Sequence, residues 1–135
     1  MSQAGVTSTT SSQQYVRYIS PSINFKNTGA TTIFTNGSSN FVVDQIIFLV
    51  DTVVNYSGGY TANVGFTAAA YSDYLSSYVT SLQDPSTYDI IDISGSEDSG
   101  IFPYLPASTA LRVNVTSGAI ADTFTGRVLI SGFIV

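Results

Sequence analysis

The stretch Phe41-Val42-Val43-Asp44-Gln45-Ile46-Ile47-Phe48-Leu49-Val50-Asp51-Thr52-Val53-Val54 is the longest apolar run in the chain, and the fold turns on how it is read. A continuous apolar run cannot be assigned to helix or strand by period alone. Its composition decides: it is rich in Val, Ile and Phe, Asn36-Gly37 stands before it and Ser57-Gly58-Gly59 after it, so it reads as a strand between turns. Strict alternation places Phe41, Val43, Ile47, Leu49 and Val53 on one face and Val42, Ile46, Phe48, Val50 and Val54 on the other. Both faces are apolar. A strand that is dry on both sides in a small β protein is either central beneath a cover or part of a subunit interface.

Upstream of it, Tyr15 to Ile19 reads as a strand ended by Ser20-Pro21. Ile23 to Lys26 and Thr31 to Thr35 read as a hairpin about Asn27-Thr28-Gly29, and Asn36-Gly37 is expected to supply a positive φ. Downstream, Thr61 to Thr67 alternates with Ala62, Val64 and Phe66 inward. Tyr71, Tyr74, Leu75, Tyr78, Val79 and Leu82 then recur at helical spacing, which predicts a helix of about ten residues started by Ser72 or Asp73 and stopped by Asp84-Pro85. Tyr88 to Ile93, Leu111 to Thr116 and Thr123 to Val135 complete the strands. On the last of these, Phe124, Val128, Ile130 and Ile134 suit the core. Leu129, Phe133 and Val135, beside Arg127 and Ser131, form a second apolar face and are the candidate oligomer-interface residues. The expected architecture is all-β: a single jelly-roll-like β-sandwich of about eight antiparallel strands with one short helix. It spans residues 15–135, with residues 1–14, poor in aliphatic side chains, as a flexible N-terminal arm.

Composition narrows the function. The 135 residues are 44% apolar but only 10% charged, the polar load being carried by 20 Ser and 16 Thr; a surface so thinly charged has much area to spend on contacts. The lack of His and Cys excludes a Ser-His-Asp triad, a Cys nucleophile, a disulfide frame, an iron-sulfur cluster and the usual zinc sites. Nine acidic residues against four scattered cations, Arg17, Lys26, Arg112 and Arg127, oppose binding to nucleic acid. No apolar run reaches the roughly 18 residues of a membrane span, so no membrane is expected as a partner. Met1 to Gly5 lacks a basic or apolar leader, which points to synthesis in a host cytoplasm. The N-x-S/T triplets at Asn36, Asn55 and Asn114 read as chance in a Ser/Thr-rich chain.

Candidate chemical groups are few. Asp89 and Asp92, three apart on a strand, point to opposite faces and cannot flank one substrate. The loop from Asp92 to Asp98 offers oxygens without the spacing of an EF-hand, and Lys26 has no evident pocket, so no metal and no cofactor is expected. G-x-S-x-G, G-x-G-x-x-G and P-loop patterns are absent. The rival reading is a sugar-binding platform built from Tyr56, Tyr60 and Tyr71 with Asp73 as hydroxyl acceptor, against which stands the absence of Trp.

Ile46 to Val50, then Ala62-Asn63-Val64-Gly65-Phe66-Thr67 with Tyr71-Ser72-Asp73-Tyr74-Leu75, and finally Leu111 to Thr116 with Gly126-Arg127-Val128-Leu129-Ile130-Ser131-Gly132, together resemble the small jelly-roll structural proteins of tailed bacteriophages. These include capsid cement, or decoration, proteins. The resemblance covers roughly residues 40 to 135 as a texture of strands and glycines. It implies a homotrimer on the outer capsid surface of a virion, bound to the major capsid protein at local three-fold positions and clamping neighbouring capsomers, with no catalytic residues. The alternative is a carbohydrate-binding β-sandwich module of a phage tail fibre or adhesin; a hydrolase comes third.

Overall fold

The computed structural model describes residues 14–93 and 104–134. Residues 1–13, the Ser94 to Gly100 part of the acidic loop and Val135 lie outside the described residues; the expected arm therefore meets the structure only at Gln14, the first residue of a strand. The chain is all-β. Nine strands are described: β1 (Gln14–Ile19), β2 (Ile23–Asn24), β3 (Gly29–Thr35), β4 (Phe41–Val54), β5 (Thr61–Gly65), β6 (Leu75–Val79), β7 (Tyr88–Asp92), β8 (Ala110–Ser117) and β9 (Thr123–Ile134). They form two sheets packed as a sandwich. Sheet A runs β1-β9-β4-β7 with β2 also on β9, and sheet B runs β3-β8-β5-β6. Every pairing is antiparallel.

The two longest strands, β4 and β9, are the spine of sheet A, and two bulges shape them. Register shifts fall between Val43 and Gln45 and between Val50 and Thr52, so Asp44 and Asp51 are each an extra residue in β4. Opposite the bulges stand Gly132 and Gly126 of β9. The extra residues correct the parity expected from strict alternation: Phe41, Val43, Ile46, Phe48 and Val50 are buried, whereas Leu49 lies on the outer face. β1 and β2 follow one line along β9, interrupted at Ser20-Pro21. Proline cannot donate to a ladder, and here the Ser20 hydroxyl accepts the Val128 N–H at 2.9 Å while the Ser20 N–H donates to the Val128 carbonyl at 2.9 Å.

Three expectations need correction. Ile23-Asn24 and Thr31 to Thr35 do not form a hairpin: β2 pairs with β9 and β3 with β8, so the Asn27 to Gly29 corner carries the chain from one sheet to the other, with Gly29 at φ 130°. Asn36-Gly37 is not a positive-φ turn; Asn36 is buried and its amide donates to the carbonyls of Ser39, Leu105 and Pro106. The helix expected across Tyr71 to Leu82 is absent, and its place is taken by β6 with loops on either side. Ser, Thr, Tyr and Val dominate this segment and are mediocre helix formers, while β5 offers an unpaired edge that the segment satisfies. Tyr74, Leu75, Tyr78 and Leu82 still pack against the core, because a register shift opposite Ala62 and Val64, with Ser77 at φ 57°, turns an extended chain to present them.

The core lies between the sheets and is largely aromatic. Phe25 stacks on Tyr60 with ring centroids 4.0 Å apart, Phe48 on Tyr78 at 4.2 Å, and Tyr18 on Phe34 at 3.9 Å. Such contacts add to the area these rings bury.

Candidate interaction surface

The outer faces of the two sheets differ in kind. On sheet B the outward residues are mostly polar, Val79 at the β6 edge being the apolar exception, and the segment between Phe66 and Tyr74 lies across the centre. Asn63 and Asn114 both donate to the Ala70 carbonyl, at 3.0 and 3.2 Å, and Arg112 donates to the Thr32 hydroxyl at 3.1 Å and the Tyr71 hydroxyl at 3.3 Å while lying 5.4 Å from the Tyr71 ring centre. Asp73 pins this cover. Its carboxylate accepts the N–H groups of Phe66 and Thr67 at 2.6 and 2.8 Å and the Thr67 hydroxyl at 2.7 Å. Burial alone would raise the Asp73 pKa, but these hydrogen bonds to the ionised form outweigh it and hold it below the ordinary carboxylate value.

Sheet A has an apolar outer face with no such cover among the described residues. Pairing across its strands sets side chains in lateral rows. Ile19, Leu129, Ile47 and Ile90 form one continuous row from edge to edge. Tyr15, Phe133 and Val42 form a second, with the Tyr15 and Phe133 rings edge-to-face at 4.8 Å. Between these two rows run Arg17, Ser131, Gln45 and Asp92, Arg17 donating to the Ser131 hydroxyl at 3.1 Å. Beyond the aliphatic row, Arg127, Leu49 and Tyr88 follow, with Arg127 held by a two-pronged ion pair to Asp51 at 2.9 and 3.0 Å. Of the nine large apolar side chains exposed among the described residues, Tyr15, Ile19, Val54, Tyr88, Ile90 and Phe133 all belong to this face. Single exposed apolar residues are ordinary; a contiguous set marks a contact surface.

Leu129 and Phe133 thus stand where the alternation of the last strand placed them, on the outward side and in two different rows, Leu129 half-buried and Phe133 37% exposed. Val135, the third candidate, lies outside the described residues. The sequence reading missed Tyr15, Ile19, Tyr88 and Ile90. Alternation within Tyr15-Arg17-Ile19 and Tyr88-Ile90-Asp92 carries the signal, but only the strand order shows that these short strands flank Leu129 and Ile47.

The sugar-platform residues do not assemble into an open site. Tyr60 is fully buried in the aromatic core, Tyr56 packs toward Phe124, Tyr71 is engaged by Arg112, and Asp73 spends both oxygens on Phe66 and Thr67. Burial pushes the Tyr60 and Tyr74 phenols well above their usual range, and burial followed by the hydrogen bond to Asp89 takes Tyr78 up to about 12. These are structural tyrosines. Asp89 accepts the Tyr78 hydroxyl at 2.9 Å, whereas Asp92 sits on the outer face, so the two carboxylates do point apart. Lys26 donates to the Asp122 carbonyl at 3.0 Å. Among the described residues there is no cavity and no cluster of three or more metal-ligating side chains.

The sequence matches no protein-family model and no curated protein. Its structure is similar to chains from three solved bacteriophage capsids. A chain of the cyanophage Pam1 capsid asymmetric unit matches with a TM-score of 0.63 at 18% identity, over 92% of this chain and 87% of that one. The acid-stable capsid of Helicobacter pylori bacteriophage KHP30 contains a chain with a TM-score of 0.53 at 13% identity, over 91% and 93%. The capsid of Ralstonia phage GP4 contains another, with a TM-score of 0.50 at 13% identity, over 89% and 83%. The similarity is one of fold across nearly the whole of each chain.

Proposed function

We propose that this chain is a structural protein of a bacteriophage virion, a homotrimer that binds the outer capsid surface and cements neighbouring major capsid protein subunits, with residues 1–14 as an arm that strengthens attachment. Its fold we read as a jelly roll in which β1 and β2 count as one broken strand, a reading supported by the order β1-β9-β4-β7 facing β3-β8-β5-β6. Fold alone does not carry a function. The observation that does is the outer face of sheet A, where an apolar row crosses the sheet with Ile19 and Ile90 exposed at its ends, Leu129 half-buried and Ile47 buried between them. Such a face costs solubility unless another surface covers it.

Leu129 and Phe133 are the interface residues in this reading. Fold likeness to chains found in phage capsids supports a shell as the setting. Three copies joined in one unit multiply modest contacts into avidity, which is the physical basis of cementing. No constellation in the described residues favours the sugar-binding rival.

The test is to incubate the purified protein with expanded, undecorated phage shells, and separately with a glycan array. Saturable co-sedimentation at a copy number fixed by the local three-fold positions is expected. Glycan binding without shell binding would overturn the proposal.

A further inference from the structure

Sheet A ends in two edges of opposite character. On their outer faces the β1 edge carries Arg17 and the β7 edge carries Asp92. Both β1 and β7 pair with their neighbours without a register shift, whereas the edges of sheet B are blunted, β3 by a shift between Thr32 and Phe34 and β6 by its shift opposite Ala62 and Val64. Regular edges can template another strand, and irregular ones are protected from doing so.

The hydrogen-bond phase of each edge is fixed. Ser20 donates its N–H to Val128, so even-numbered residues of β1 turn their peptide groups to β9, and Arg17 and Ile19 turn theirs outward. Ile93 donates to Asp44 and Thr87 accepts from Val50, so odd-numbered residues beside β7 face β4, and Ile90 and Asp92 face outward. β1 runs parallel to β4 and β7 runs against it, so β7 of one copy and β1 of the next meet antiparallel when the sheets are joined side by side.

We propose that copies of this chain join edge to edge through sheet A, β1 of one adding to β7 of the next with Arg17 opposite Asp92 and Ile19 opposite Ile90. The inference rests on the reading that the chain assembles with itself, and adds to it the contact, its direction and its register. In this register both pairs fall at hydrogen-bonding positions and the aliphatic row runs on unbroken from one copy into the next. A slip of two residues either way sets Arg17 against Ile90 or Ile19 against Asp92. The contact is head-to-tail, the kind that closes into a ring. In a ring closed with the outer faces of the A sheets toward its axis, Leu129 and Phe133 are covered.

The chain contains no cysteine, which makes the test clean. Facing residues at hydrogen-bonding positions of an antiparallel pair have Cα atoms about 5.5 Å apart, within disulfide reach. Within one copy Ile19 and Ile90 stand three strand spacings apart, about 14 Å, so a bond between them must link two molecules. The double variant Ile19→Cys with Ile90→Cys, oxidised mildly, is expected to give a covalent ladder on a non-reducing gel that ends at a closed oligomer and collapses on reduction, with neither single variant doing so. A second arm uses charge: Arg17→Asp and Asp92→Arg should each weaken association at least tenfold, and the two together should restore it. A wild-type protein that is oligomeric by light scattering, with an uncrosslinked cysteine pair and no rescue by the charge swap, would overturn the edge contact alone. A protein monomeric both free and on shells would overturn the assembly reading with it.

Discussion

Gly126 and Gly132 show how little room the spine of sheet A leaves. A Cβ at Gly126 would come 2.0 Å from the Leu49 carbonyl oxygen and 3.1 Å from the Phe25 ring; one at Gly132 would come 2.0 Å from the Val42 carbonyl and 2.8 Å from the Phe41 ring. The obstacle is paired backbone at the centre of the sheet, which cannot move aside. Gly126→Ala is therefore expected to cost about 3 kcal/mol, the upper part of the range for overpacking, read as a lowered urea midpoint with an unchanged slope. Asp73 offers a different test, because its charge rather than its size does the work. With its folded pKa held below the unfolded value of about 4, the carboxylate contributes stability that is fully present above that value and is lost as pH falls through the folded pKa. Replacing it by Ala should cost about 2 kcal/mol at pH 7, where three hydrogen bonds to a charged acceptor disappear. The gap between wild type and Asp73→Ala in thermal melts should narrow as the pH is lowered from about 5 toward 2; a gap independent of pH would show that the carboxylate is not the pin.

At the scale of the strand, β4 is a sequence of three apolar runs punctuated by two aspartates, and the aspartates are where its faces change over. Removing the side chain and removing the residue then test different things. Asp51→Ala loses an ion pair whose members are 32 and 40% exposed, worth about 0.5 kcal/mol. Deleting Asp51 removes the bulge itself: Thr52 stays opposite Thr125 and Val53 opposite Phe124, so both faces are kept while the bend that the extra residue gives β4 is lost, at an expected cost of about 2 kcal/mol, seen as a lowered melting temperature. The same bulges mark the limit of what was legible beforehand. That Phe41 to Val54 is a strand follows from its Val, Ile and Phe content between turn residues, while its two dry faces left a central place and an interface both open. Which of its side chains face the core does not, because a bulge depends on the partner strand, here on Gly126 and Gly132. β6 was misread for a related reason: Tyr71, Tyr74, Leu75, Tyr78 and Leu82 recur at helical spacing, yet the free edge of β5 and the left-handed Ser77 let an extended chain bury much the same set. The outer face was legible on β9, whose clean alternation isolates Leu129 and Phe133, and hidden on β1 and β7, whose place beside it is a matter of long-range pairing.

For the whole molecule, the contrast between the two outer faces sets the behaviour. On sheet B the asparagines and Arg112 are bonded within the monomer to the segment laid over them, so in the proposed assembly a substitution there is expected to matter less. Sheet A carries Leu129 in the middle of its aliphatic row, between Ile19 and Ile47, and Phe133 against Tyr15. In the isolated chain an aspartate at either position still reaches water, so the folded monomer loses little. In an assembly that covers the row, the same carboxylate is desolvated without a partner, at a cost of about 3 kcal/mol or more, over a hundredfold in association. If the proposed trimer forms through this face, Leu129→Asp and Phe133→Asp are each expected to give monomers by light scattering at concentrations where the wild type associates, with a far-ultraviolet circular dichroism spectrum unchanged. Ala30→Asp, exposed on the outer side of sheet B opposite Asn114, should leave the proposed association unchanged. A Leu129→Asp protein that remained trimeric would show that the apolar face of sheet A is not where the copies meet.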